Sequence, residues 1–171
     1  MKIVQKFKHM ILTFMVCIIP ATGLADSFLE TDKPFFLIED EHNVAEAWGT
    51  CVAAYNLMSM IQEDTSPAFS KQMSDRSNGA KIALFIDYFL KLDSDSSSNQ
   101  ISSRKKMANV LMESIPEAQL TAMMAAGEQL QFSEEWFELL TSTIKLCASN
   151  LDQQQNLINT WRELYASGAF N

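Results

Sequence analysis

Glycine is scarce in this chain. Its five copies in 171 residues stand far apart, at Gly23, Gly49, Gly79, Gly127 and Gly168. No nucleophile elbow of the Gly-x-Ser-x-Gly type, phosphate loop or dinucleotide turn can be assembled from them. Histidine is scarcer, with only His9 and His42. A Ser-His-Asp site outside the first segment would have to use His42. That residue stands beside a helix start and next to acidic side chains, where capping and surface roles are the simpler expectation. Cysteine occurs three times, at Cys17, Cys51 and Cys147. Nothing resembles Cys-x-x-Cys, which argues against redox catalysis, and the Cys and His spacing fits no zinc site. Long apolar runs are missing too. Met10 to Pro20 is too short for a membrane span, which needs about 20 apolar residues.

What is present begins with an address. Lys2, Lys6 and Lys8 precede the Met10–Pro20 run, and Gly23-Leu24-Ala25 stands before Asp26. A basic start, a short apolar stretch and a small-residue cleavage site read as a secretory signal peptide over 1–25. An uncleaved anchor is the rival. A lipid-modified cysteine does not fit, because Val16 rather than a small residue precedes Cys17. The expectation is a bacterial exported protein, periplasmic or secreted, with no stable membrane insertion after cleavage. Removal of three lysines and no acid takes the net charge from −8 to −11. Such a chain is repelled by nucleic acid and by anionic lipid, and it favours a cationic partner. Arg104-Lys105-Lys106 is the one basic cluster and reads as a solvated helix face.

Residues 26–41 read as an irregular strap. Pro34 interrupts them, the apolar run Phe35-Phe36-Leu37-Ile38 has strand-like residues, and Glu39-Asp40-Glu41 closes the segment. A strap over a helical core is one reading. A segment that meets a partner through Phe35, Phe36, Glu39, Asp40 and Glu41 is the other. From 42 to 171 the pattern is helical. Asn43 reads as an N-cap with Glu46 three residues on. Val44, Ala47, Cys51, Ala54, Met58 and Ile61 follow at spacings of three and four. Ser66-Pro67 starts a second helical region that runs to about Leu92. There Asn78-Gly79 marks either a break or a close approach of another backbone.

Asp93 to Asn99 has the composition of a loop. Its oxygen-rich start resembles a calcium loop, but Ser98 stands where the turn glycine belongs and Arg104 where the glutamate belongs. A third helix is expected over 101–114, and Pro116 is expected to open a fourth, which Gly127 ends or kinks. Ser133 reads as the cap of the last region. Trp136, Leu140, Ile144, Cys147, Leu151, Gln154, Ile158, Trp161 and Tyr165 mark its face, as one long helix or two collinear ones broken near Asn150. The fold expected is an all-α single-domain bundle of about four to six helices. Cys51 and Cys147 both point to the core, so a disulfide is expected between the first and last helical regions.

Catalytic candidates are few. A cell-wall hydrolase would need a desolvated carboxylate in a cleft. Glu46, Asp87 and Glu138 lie near aromatic residues, yet each is more simply a solvent-facing side chain. Methionines invite a copper reading, but Met58 and Met60 cannot share a helix face, and Met123 and Met124 diverge likewise. No cofactor or metal is expected. The functional expectation is an exported, non-enzymatic protein that binds another protein, as an inhibitor, an immunity-type neutraliser or an envelope accessory. The alternatives are a bundle that binds a small molecule or lipid, and a peptidoglycan hydrolase.

Overall fold

The computed structural model describes residues 27–91 and 98–168. The leader predicted over 1–25 lies outside them, as does most of the Ser-rich loop. Five α-helices make up the described residues, with no strand among them: α1 Glu41–Gln62, α2 Pro67–Lys91, α3 Ser98–Gln129, α4 Glu134–Ala148 and α5 Leu151–Ala166. None is long and apolar enough to cross a membrane.

Helix α1 is the centre of the bundle and packs against α2, α3 and α4. Val44, Ala45, Trp48, Cys51, Val52, Ala53, Ala54 and Tyr55 are all buried. Burial thus extends around most of the helix instead of following the single stripe expected, as befits a core helix. Small residues make this possible. A Cβ at Gly49 would overlap Ile115 Cγ2 of α3, so glycine sets the α1–α3 approach. The start of α1 also differs from expectation. Asp40 is the N-cap, and its Oδ1 accepts the Asn43 N–H at 2.8 Å. An aspartate three residues before the expected cap serves as well as asparagine does, so Asn43 lies inside the first turn.

Helix α2 runs unbroken through Asn78-Gly79. The glycine marks a close approach: a Cβ there would overlap the Gln154 amide of α5. Pro116, expected to open a new helix, instead lies inside α3. Proline removes one backbone hydrogen bond and costs about 3 kcal/mol in a helix interior. The buried face keeps its phase across it, from Ala108 through Met112, Ile115 and Pro116 to Met123 and Gly127. Two helices could not present that stripe without a change of register, and packing decides for one. Two left-handed residues, Gln131 (φ 54°) and Phe132 (φ 48°), turn the chain into α4. Gly127 remains in the helix, and its missing Cβ leaves room for the Phe132 ring.

The last region is two helices, interrupted at Ser149-Asn150. The disulfide expected between Cys51 and Cys147 is present, with a Cα–Cα distance of 5.6 Å. It ties α1 to the end of α4, just before that interruption.

Candidate functional site

The strap is built from local chemistry. Pro34 starts a single 3₁₀ turn over Phe35–Leu37, closed by the Leu37 N–H to the Pro34 carbonyl at 2.9 Å. The strand-like run is therefore a turn. No strand stands beside it among the described residues, so its backbone is satisfied by the turn's own hydrogen bonds and by side chains of the bundle. The turn sends Phe35 inward and leaves Phe36 and Leu37 outside, 66% and 55% exposed. The Phe35 ring meets Trp48 edge to face, 4.7 Å between centroids.

Three polar tethers hold the strap on the bundle. The Phe28 N–H donates to Thr143 Oγ1 of α4 at 2.8 Å. The Phe35 N–H donates to Asn150 Oδ1 at 3.0 Å. Lys91 Nζ donates to the Ile38 carbonyl. The same ammonium lies 3.6 Å from Asp87 Oδ1. Asp87 Oδ2 in turn accepts the Trp48 indole N–H at 2.9 Å and the Gln153 amide at 3.3 Å. Asp87 is the one buried carboxylate among the described residues. A buried carboxylate is tolerated only when paired and hydrogen-bonded, and here an ammonium, an indole N–H and an amide surround it.

Between strap and α1 runs a cleft of about 510 Å³. Glu30, Glu39, Asp40 and Glu46 line it, against a single lysine, Lys33, with Gln119 of α3 at one side. Glu39, Asp40 and Glu46 are exposed and Glu41 is half-buried. The exposed Phe36 is the strap's outward apolar group, and Leu37 lines the cleft. The arrangement suits a group that carries positive charge beside an apolar side chain. Like-signed carboxylates at a partly enclosed surface raise the local concentration of cations and speed their approach.

The predicted residues separate accordingly. Glu39 and Asp40 come together at the cleft, and Phe36 stands exposed on the turn beside it. Phe35, expected beside them, is 1% exposed and belongs to the core. Asp40 is shared, because one carboxylate oxygen caps α1. His42 is exposed, with its ring 5.8 Å from that of Tyr88. Burial raises the Tyr88 pKa, and the neighbouring Glu41 raises it further. Glu138 is exposed on α4. Met58, Met73 and Met123 fill the core, while Met60 and Met107 face solvent. No group of three or more His, Cys, Asp or Glu side chains among the described residues is arranged to hold a metal ion.

Thr143, Asn150 and Lys91 were not legible as strap anchors. Thr143 lies on the buried stripe of α4 with Cys147, and Asn150 continues that stripe into the α4–α5 junction, where Ile144 and Leu151 are the apolar alternatives. A polar residue in step with a core stripe is the signal that marks them. Comparison with known proteins finds no matching family model, no matching curated protein and no matching solved structure.

Proposed function

We propose that this is an exported, non-enzymatic helical protein that acts by binding another protein, and that the strap cleft receives a basic segment of that partner. An inhibitor, a neutraliser of a toxin and an accessory subunit of an envelope assembly all work in this way. The carrying observation is the cleft itself: four carboxylates against one lysine, beside the outward Phe36. An exposed aromatic side chain next to a charged surface is a common pattern for a protein contact. The carboxylates supply approach rate and orientation, and the apolar side chains supply slow release.

The test is site-specific photo-crosslinking in the exporting cell. A crosslinker at Phe36 should yield one discrete adduct. Glu39→Lys with Glu46→Lys should remove it. A crosslinker at Glu63, near the other end of α1 and about 30 Å away by helix rise, should give none. No adduct at Phe36, or the same adducts from both positions, would refute the reading.

A further inference from the structure

A second cleft, of about 390 Å³, opens between α2 and α5. Gln72, Asp75 and Arg76 reach it from α2, and Gln154, Gln155 and Ile158 from α5. Gln154 is the unusual member. It is only 6% exposed, and its Oε1 has no hydrogen-bond partner. Leaving a buried acceptor unpaired costs about 1–3 kcal/mol, and a rotation of the amide that brings Oε1 to the cleft wall would let a ligand hydroxyl pair it. Gly79 leaves the space that the Gln154 amide occupies.

The cleft is polar but has little net charge to offer. Lys71 is paired with Asp75 at 2.7 Å, and the Arg76 guanidinium lies 5.9 Å from the centroid of the Tyr55 ring. The wall is otherwise carboxamide with an apolar ledge at Ile158. On α5 the same face continues from Gln154 and Ile158 to Trp161 and Tyr165, at spacings of four, three and four. The rings of Trp161 and Tyr165 stack at 5.6 Å and 23°, and Tyr165 is 62% exposed. From Gln154 to Tyr165 the helix rises about 16 Å.

We propose that this cleft and its aromatic extension bind a neutral oligosaccharide. Carboxamides and a guanidinium are planar groups with paired donors or acceptors, suited to two adjacent hydroxyls at once. A sugar hydroxyl is donor and acceptor together, so one ligand satisfies Gln154 Oε1 once the amide turns outward and also accepts from Arg76. The electron-rich face of an aromatic ring attracts the C–H face of a pyranose, and Tyr165 presents such a ring on its open side. Lys71 and Asp75 neutralise each other, which leaves an anion the Arg76 charge alone, and an apolar ligand would strand the amides. The face runs about 16 Å along α5, long enough for several linked sugar rings and not only one.

Titration of the ¹⁵N-labelled protein with cellotetraose, maltotetraose and tetra-N-acetylchitotetraose in turn tests this. At least one should shift the amide signals of 68–79 and 154–165, and no others strongly. Gln154→Leu and Tyr165→Ala should each weaken that binding at least tenfold. Tyr165 is exposed, so its variant keeps the test valid if the buried Gln154 change disturbs folding. No shift from any of the three at about 10 mM, well above the weakest useful Kd, would overturn the proposal. So would shifts that map elsewhere, binding unchanged in Tyr165→Ala, or stronger shifts of the same signals by inorganic phosphate.

Discussion

The Cys51–Cys147 bridge permits the sharpest prediction. Replacing both residues by alanine frees a loop with a sequence separation of 96. The chain-entropy relation gives about 4.7 kcal/mol for a loop of that size at 25 °C, and measured losses are commonly 2–5 kcal/mol. Domains of this length are stable by only about 5–15 kcal/mol. On the chain-entropy value the bridge therefore accounts for between about a third and most of the margin. Guanidinium unfolding followed by far-UV circular dichroism should show a lower midpoint. It should also show a steeper dependence on denaturant, because the unlinked chain exposes more surface when unfolded. The single variant Cys51→Ala, with Cys147 left as a thiol, should fall nearly as far, since the cross-link and not the sulfur volume is lost. Thr143 and Asn150 flank Cys147 on the same buried stripe and carry two strap tethers. Hydrogen exchange at the Phe28 and Phe35 amides should therefore accelerate more than exchange in the middle of α2. A loss below about 0.5 kcal/mol, the size of an ordinary surface change, from a wild type shown by mass to be fully oxidised would refute this reasoning.

Other consequences are separately measurable. Gly49→Ala gains about 1 kcal/mol of helix propensity but places a methyl against Ile115, whose own Cβ would lie 3.2 Å away. Overpacking of about 1–3 kcal/mol should win, and thermal unfolding should show a lower midpoint. Phe35→Ala empties a fully buried ring site against Trp48 and should cost about 3–5 kcal/mol, with Trp48 fluorescence moving to the red. Burial pushes the Tyr55 pKa up from 10.0 to about 12, partly offset by the Arg76 charge. The folded state then holds the phenol proton more tightly than the unfolded one. Stability from this group is complete below pH 10 and falls by up to about 3 kcal/mol as pH rises toward 12. Tyr55→Phe should flatten that fall in paired chemical-denaturation series.

Much of the fold was legible because the periodicity is strong and the breakers are few. The stripe from Trp136 through Cys147 to Gln154 turns Cys147 to the core, as the α1 stripe turns Cys51, and the two are bonded. The failures have particular causes. Pro116 reads as a helix start from local chemistry, yet the in-phase burial of Ala108 and Met123 on either side makes a continuous helix the lower-energy arrangement. Only tertiary packing carries that information. Asn43 and Asp40 are both good caps, and their order in the chain does not say which one the helix uses. Phe35 and Phe36 are identical in type and adjacent in sequence. A turn begun by Pro34 separates them into core and surface, whereas strand alternation would have done so on a different backbone.

The strap's position also sets what the candidate cleft can do. A cleft bounded by an irregular segment would normally be soft, because loops open at small energetic cost. Here the segment is fixed at Phe28, Phe35 and Ile38 to α4, the α4–α5 junction and α2. The cross-link to α1 lies on the same stripe as two of those anchors. The carboxylates of Glu39 and Asp40 are thus presented from a backbone held at both sides, and Glu46 projects from the helix that the strap covers. Ordering such a wall at the moment of binding costs little, which is the condition under which a small charged surface gives useful affinity. Loosening one tether should weaken a partner through added entropy without removing any contact. Asn150→Ala, which leaves every cleft carboxylate in place, is the variant that isolates this effect. Its expected signature is a faster dissociation rate with an unchanged association rate, and an equal loss in both would place the carboxylates, not the tethering, in control.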